Sequence, residues 1–458
     1  SATIMRNPSY VCSNSDEMSI PYIVGQPSLI QTGRITGLDA PDTVLFSWPV
    51  SPRECVYRDY SYAPTGGLFN ANHQYYLGRM FLYWRGSFKI HVSFICSHFQ
   101  SCRVRLMWFP THPNTGLTTP TQDDISNSYN VVMDINKETE YSLLIPFFPP
   151  MQWLEFPENP TEPWMCINGT LKLVVQNVLT SCDSFTPDIY YQVFASMAED
   201  ASFSGPTLVD CHSYGNPDNQ LTAQSSETLA CELASTSSTC LRNTKFVSVT
   251  GVNFGCVEQG VCNPYEFLNV RQITNLLSPL VQIPADVTKN FCGFEYVPFG
   301  VNSRHWDDDV WFNYFTQIRA IYRYGRGGVR VVGVSSAAAP LAVTYMGLGH
   351  KFSSSNYLDS VFDIAPLVSS THIRYATSGY QFIPNTSLMP IDVVLPYYNT
   401  TPCSRLNSTT AIDFNTRQSS VVVMWSTQAT SPQIALLSSS ADDFHFGCLL
   451  SVPRLHKS

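Results

Sequence analysis

The sequence predicts an all-β protein organised as two consecutive β-sandwiches, and three observations carry that expectation. Short alternating apolar segments recur along 458 residues beside a single good helical pattern, as in a sandwich or barrel. Three sequence landmarks appear twice in the same order, and internal repetition decides domain organisation before any single element does. The length suits two large β domains, each able to bury a full core.

The landmarks define the repeat. The first copy reads Leu82-Tyr83-Trp84-Arg85-Gly86-Ser87-Phe88-Lys89-Ile90-His91-Val92, an aromatic-Arg-Gly turn opening a strand. The second reads Ile321-Tyr322-Arg323-Tyr324-Gly325-Arg326-Gly327-Gly328-Val329-Arg330, the same turn with one residue added. A Pro-aromatic-aromatic step follows each: Ile145-Pro146-Phe147-Phe148, then Leu395-Pro396-Tyr397-Tyr398. Each half closes on an acidic-aromatic tail, Ala198-Glu199-Asp200-Ala201-Ser202-Phe203 and Ala441-Asp442-Asp443-Phe444-His445-Phe446.

The elements follow from periodicity. Residues 43–48 form a first strand. From 88 to 98 the even positions Phe88, Ile90, Val92, Phe94, Cys96 and His98 define one core-facing strand face. Val104, Leu106 and Trp108 repeat the pattern over 103–108. The Pro- and Thr-rich stretch 109–124 then predicts a long surface loop, as does 156–164. Strands follow at 141–145, 171–175 and 189–195. Residues 207–250, rich in Ser, Thr, Asn and Cys without periodicity, read as a linker or extended arm. Phe267, Val270, Ile273 and Leu277 predict a helix over 265–277, entered through Asn263-Pro264. Later strands are expected at 318–324, 329–334, 341–346, 392–395, 421–425 and 433–437. The expected division is a first domain over 1–206, a linker over 207–262 and a second domain over 263–458.

Composition bounds the function. Charged residues are 13% of the chain, about half the usual share. Such a surface suits coverage by other protein, or a loop-rich β protein solubilised by Ser, Thr and Asn. A net charge of −9 argues against a protein built mainly to hold nucleic acid. No apolar run is long enough to span a membrane as a helix, and Ser1-Ala2-Thr3-Ile4-Met5-Arg6 reads as a processed end rather than a signal peptide. The 14 Cys form no Cys-x-x-Cys pair, so reduced thiols are expected over disulfides or zinc. The sequons at Asn168, Asn385, Asn399 and Asn407 read as chance.

Three chemical constellations each have a competing structural role. Arg319, Arg323, Arg326 and Arg330, interleaved with Tyr322 and Tyr324, could form an RNA-binding stripe. The less charged first copy favours a strand whose Arg-Gly turn is held by hydrogen bonds. Cys96, His98 and Cys102 could ligate zinc, but Cys96 and His98 continue an apolar strand face and a fourth ligand is lacking. Asp307-Asp308-Asp309 lacks the spacing of a calcium loop and reads as a solvated turn. No phosphate loop, His-Glu-x-x-His or Gly-x-Ser-x-Gly sequence is present, and Gly333-Val334-Ser335-Ser336-Ala337 fails the last at its final position. No catalytic, cofactor or metal residue is assigned, and the chain is not expected to be an enzyme.

These residues together resemble a family. Residues 83–110, with Tyr-Trp-Arg-Gly-Ser leading into paired strands that end in Trp108-Phe109-Pro110, resemble the jelly-roll coat proteins of picorna-like viruses. So do Asn168-Gly169-Thr170-Leu171 and residues 189–206, placed like the last two strands of a jelly roll. The second-half landmarks fill the corresponding places, and 265–277 is similar to the helix that precedes such a roll. The resemblance implies two eight-stranded antiparallel jelly rolls in one chain, as in the large coat protein of comoviruses. It implies a structural subunit of a non-enveloped icosahedral positive-strand RNA virus. Copies of the chain and a further coat protein with a third jelly roll would complete a pseudo-T=3 shell. The chain would reside in the virion, assembled in host cytoplasm, with weak genome contacts, no cofactor and a host receptor or vector factor as a further partner. Asp442-Asp443-Phe444 matches a sequence linked in some insect picorna-like capsids to maturation cleavage. Its counterpart Glu199-Asp200 points instead to a shared architectural role. A carbohydrate-binding sandwich and an uncleaved coat precursor are the alternatives.

Overall fold

Antiparallel strand pairing builds the same pair of sheets twice. The computed structural model describes residues 16–57, 68–97, 99–110, 120–121, 125–126, 128–135, 139–156, 165–181, 188–207, 247–248, 266–283, 291–296, 313–335, 341–346, 361–363, 378–383, 390–397, 403–406, 420–426, 434–450, 452 and 455–456. The first half opens with β1 (Ser28–Ile35), β2 (Val44–Pro49), β3 (Val56–Tyr57), β4 (Leu68–Ala71), β5 (Phe81–Arg85), β6 (Phe88–Ile95) and β7 (Gln100–Phe109). It continues through β8 (Tyr129–Asp134), β9 (Glu140–Ile145), β10 (Leu154–Glu155), β11 (Thr170–Ser181), β12 (Ile189–Met197) and β13 (Ser202–Pro206). Two short strands follow, β14 (Val247–Ser248) and β15 (Glu266–Phe267). The two main sheets run β1-β12-β6-β9, with β14 added in parallel beyond β9, and β2-β11-β7-β8. Taking the eight main strands in sequence order, the sheets read 1-8-3-6 and 2-7-4-5, the jelly-roll arrangement.

The second half contains β16 (Ser278–Ile283), β17 (Phe291–Tyr296), β18 (Tyr322–Arg326), β19 (Val329–Ser335), β20 (Leu341–Met346) and β21 (Val361–Asp363). Then come β22 (Ser378–Ile383), β23 (Ile391–Leu395), β24 (Ser404–Arg405), β25 (Ser420–Ser426), β26 (Ile434–Ser440), β27 (His445–Leu449) and β28 (Leu455–His456). Its sheets run β16-β26-β19-β23 and β17-β25-β20-β22, with β21 beyond β17. The same 1-8-3-6 and 2-7-4-5 order results.

The first roll's core is made by the period-two faces that the sequence displays. Phe88, Ile90, Val92 and Phe94 of β6 are buried, as are Val104, Leu106 and Trp108 of β7. Trp84 and Trp48 meet Phe88 edge-on at 5.8 and 5.5 Å. Complete burial of such a ring contributes about 2–3 kcal/mol. Tyr191 of β12 ties the two sheets, its hydroxyl donating to Leu45 O at 2.9 Å. Gly33 makes room for that ring, since a Cβ there would stand 2.3 Å from it. Burial pushes the Tyr191 phenol up to about 12, so the bridge stays protonated.

Several expectations need correction. The helix expected over 265–277 is only α3 (Val270–Thr274), numbered after α1 (Ile20–Val24) and α2 (His73–Gly78). Its cap is Asn269, in a capping box with Gln272, not Asn263-Pro264. Phe267 instead pairs in register with Phe203 of β13 and packs 5.5 Å from Phe81, so strand pairing and ring packing override helical spacing. Residues 318–324 are not one strand. Helix α4 (Tyr314–Arg319) precedes β18, because the Asn313 side chain caps Thr316 N at 2.8 Å while Phe315 and Ile318 face inward. The strand expected over 88–98 ends at Ile95, and His98 lies outside the described residues.

The described chain divides into two units. One holds residues 19–207, 247–248, 266–268, 452 and 455–456; the other holds 16–18 and the described residues between 269 and 450.

His91 gives the first roll a pH dependence. It pairs across the ladder with Ser142, whose Oγ lies 2.9 Å from Nδ1, and its ring packs 6.1 Å from Phe194. Burial holds its pKa below the ordinary imidazole value, outweighing the opposite pull of Glu140. The unfolded chain therefore takes the proton first. The stabilising effect is complete above about pH 6.5 and is lost as pH falls through that value toward the lower folded pKa. Replacing His91 with Gln keeps a polar partner for Ser142 and removes the titration. The urea midpoint should then change less between about pH 7 and pH 5 than in the parent protein. Equal slopes would show that His91 contributes nothing to acid sensitivity.

Candidate functional site

The three repeated landmarks converge on one strand junction in each unit. In the first, the long strand β5–β6 is broken at Gly86-Ser87, and its neighbour β12–β13 is broken at Glu199-Asp200. The Asp200 carboxylate accepts hydrogen bonds from Ser87 N at 3.0 and 3.1 Å and from Ser87 Oγ at 2.7 Å. Ala198 N donates to Ser87 O at 2.8 Å. Ser87 Oγ also accepts from Phe147 N at 3.3 Å, which brings in the Pro-aromatic step. Gly86 sits at φ 135°, where a Cβ would meet Ala201 Cα at 2.7 Å. Only glycine fits there.

The second unit repeats this atom for atom along the backbone. Gly328 N donates to Asp443 Oδ1 at 2.9 Å, and Ala441 N to Gly328 O at 2.9 Å. Gly327 sits at φ 123° with its Cβ position 2.3 Å from Phe444 Cα. Gly86 therefore matches Gly327 and Arg85 matches Arg326. The residue expected as added in the second copy is absent: both turns have the same length.

The departure from Trp-Arg-Gly is a transfer of volume. Gly325 stands where the first copy has Trp84, and Phe444 where it has Ala201. The Phe444 ring comes within 3.3 Å of the Gly325 Cβ position and packs edge-on to Phe315 at 4.9 Å. The phenylalanine of Asp442-Asp443-Phe444 fills the space that the first roll fills with Trp84. Asp443 ties the junction, and Asp442 Oδ1 accepts from Asn275 Nδ2 at 3.3 Å.

The other constellations do not come together as sites. Arg319 is buried on α4, Arg323 lies over the Tyr324 ring at 5.6 Å, and Arg330 forms a bidentate pair with Asp392 of β23. That pair raises the Arg330 pKa and lowers that of Asp392, through their hydrogen bonds first. Three of the four arginines thus lie in three different environments rather than forming a stripe. Cys96 Sγ lies 3.9 Å from Ile135 O and Cys102 Sγ 3.3 Å from Asn177 O. No group of three metal-ligating residues occurs among the described residues. Cys55, Cys96, Cys102, Cys166, Cys403 and Cys448 are free thiols. Burial pushes Cys102 and Cys166 up to about 11, which leaves about one in a thousand as thiolate at pH 8. Asp307-Asp308-Asp309, Asn385, Asn399 and Asn407 lie outside the described residues, as do most of 109–124 and 156–164.

Asn168 is a structural residue that its sequon disguises. It is 1% exposed, donating from Nδ2 to Pro146 O at 2.8 Å and accepting at Oδ1 from Phe148 N at 3.2 Å. Trp108 Nε1 donates to its carbonyl at 3.0 Å. Its place between the Pro-aromatic step and the strand opened by Gly169 was the available signal.

Comparison with known proteins agrees with this architecture. Residues 269–458 match the family described as CRPV capsid protein like. The chain is 28% identical over 211 residues to the structural polyprotein of Cricket paralysis virus (isolate Teleogryllus commodus/Australia/CrPVVIC/1968), covering 43% of this chain and 23% of that protein. The chain is similar to picorna-like virus capsid proteins. The genome polyprotein of Avian encephalomyelitis virus (strain L2Z) is 26% identical to this chain over 174 residues, covering 38% of it and 8% of the polyprotein. The chain thus spans less than a quarter of the length of these curated relatives. Among solved structures, black queen cell virus matches at a TM-score of 0.37 and 22% identity, covering 47% of this chain and 89% of that one. The likeness to virion proteins rests on the sequence matches.

The junction is testable. Gly327→Ala forces a Cβ against backbone and should destabilise the protein by about 3 kcal/mol in urea unfolding. Asp443→Ala should cost about 1 kcal/mol, and Asp443→Asn, which keeps an acceptor for Gly328 N, should cost less. Equal stability of all three variants would remove the junction from the account.

Proposed function

We propose that this chain supplies two of the three jelly-roll positions in the repeating unit of an icosahedral shell. A second coat protein with one jelly roll would fill the third, giving pseudo-T=3 geometry around a positive-strand RNA genome. The observation that carries the reading is the duplication itself: two rolls of identical strand order, closed by the same junction, in a chain similar to capsid proteins. Two similar but unequal copies suit neighbouring quasi-equivalent places, where closed symmetry builds a shell from repeated contacts. The domains would be 1–206 and 263–458, joined by 207–262.

The mechanism is assembly rather than chemistry. Apolar side chains left on the surface, including Leu38, Ile95, Phe99 and Tyr190 of the first roll and Val394 of the second, would be covered by neighbouring subunits. The chain's acidity and the dispersal of its arginines support only weak RNA contact. Receptor or vector recognition would fall to exposed loops. The Asp443 tie supports a structural role for Asp442-Asp443-Phe444. A carbohydrate-binding sandwich is less favoured, since the sequence matches are to capsid proteins.

Cryo-electron microscopy of the protein isolated from its natural source tests this. Uniform icosahedral particles with this chain at two positions and a different jelly-roll chain at the third are expected. Monomers or small oligomers without a companion chain would refute the assembly, and three rolls all drawn from this chain would refute the division of labour.

A further inference from the structure

The four arginines of the sequence pattern do not meet, but two of them join a different basic group in the unit of the second roll. Tyr324 and Arg326 alternate on β18, so they share one face of the ribbon β24-β18-β27. Arg326 pairs in register with His445 of β27, and Nη2 of Arg271 on α3 lies 2.8 Å from His445 Nδ1. Arg323 is exposed, its guanidinium 5.6 Å from the centre of the half-buried Tyr324 ring. Arg405 of β24 pairs in register with Tyr324.

Among the described residues, no carboxylate pairs with Arg271, Arg323 or Arg326. The carboxylates of adjoining elements are engaged elsewhere. Asp16 accepts from Asn269 Nδ2, Glu17 from Cys448 N, Asp442 from Asn275 Nδ2 and Asp443 from Gly328 N. Arg271 Nε is buried without a hydrogen-bond partner. The first roll lacks this charge at matching positions. With Gly86 set on Gly327, Leu82 stands for Arg323, Ser202 for His445 and Glu155 for Arg405, while Tyr83 and Arg85 match Tyr324 and Arg326. Pro21 holds the second helical position of α1, which Arg271 holds in α3. The tyrosine-arginine frame is common to both rolls, and the further cations belong to the second.

We propose that Arg271, Arg323, Tyr324, Arg326 and His445 form a sequence-independent site for single-stranded RNA on the second roll. Arg323 and Arg326 pair with phosphates, the Tyr324 ring offers a stacking surface for a base, and His445 positions Arg271. A few phosphates held at one place are compatible with an acidic chain, because the contact is local. That the strand is a genome rests on the shell proposed above, whereas RNA binding by the isolated chain does not.

The test is fluorescence anisotropy of a short fluorescein-labelled oligouridylate with the full chain over a range of salt concentrations. Arg323→Gln combined with Arg326→Gln should weaken binding about ten-fold and make the salt slope shallower by about 1.4, two phosphate contacts at about 0.7 each. Tyr324→Ala should weaken binding at least about five-fold with the slope unchanged. Arg34→Gln, which removes an exposed cation of the first roll, should leave binding unchanged. Circular dichroism and urea unfolding report that each variant has folded. No binding by the parent at low salt, undiminished binding by the double variant, or an equal loss in Arg34→Gln would overturn the site. If the double variant loses a labelled heparin fragment but keeps the oligouridylate, the patch is a surface for sulfated polysaccharide and the RNA assignment falls. These affinities are read without assembly, so their outcome is separable from the appearance of particles in micrographs.

Discussion

The structure depends on one constraint: the long third strand and the last strand of each roll must break together, side by side, without opening the sheet between them. Backbone groups at a strand break lose their ladder partners, and an unsatisfied buried amide costs about 1–3 kcal/mol. An aspartate on one strand answers the orphaned amide on the other, Asp200 for Ser87 and Asp443 for Gly328. A glycine at positive φ lets the two backbones approach. The short outer strands β5 and β13, and β18 and β27, then pair as separate ribbons.

The same constraint explains why the copies diverged as they did. The atoms fixed by the junction are backbone and one carboxylate, and these are kept. Side-chain volume is free to move so long as its sum in the cavity holds, because interiors are close-packed. Trp84 beside Ala201 has become Gly325 beside Phe444. Ser87, whose hydroxyl reaches Phe147, has become Gly328, and the Leu395 carbonyl closes to within 2.8 Å of the Cβ position there. An acidic pair followed by an aromatic is thus accounted for by packing and a hydrogen bond.

Much of the fold was legible because period-two alternation is a local signal: the faces of β6, β7 and β12 can be read from adjacent residues. The duplication was legible because the junction demands unusual residue types at fixed spacing. What escaped was set at long range. Phe267 carries helical spacing but is claimed by Phe81 and Phe203, far away in sequence. The Asn313 cap that turns 314–319 into a helix is a single side chain inside an apolar run. The burial of Asn168 depends on Pro146 and Phe148, which only tertiary structure brings near. Among the functional motifs, Asp442-Asp443-Phe444 was visible, whereas its partners Gly328, Asn275 and Phe315 were not.

The most direct test of the duplicated junction is residue-resolved hydrogen exchange at the amides of Ser87 and Gly328. Both are bonded to carboxylates that face solvent. The account predicts slow exchange at both, with Asp200→Ala releasing only Ser87 and Asp443→Ala only Gly328. Fast exchange at either amide in the parent protein would contradict the claim that one physical device closes both rolls.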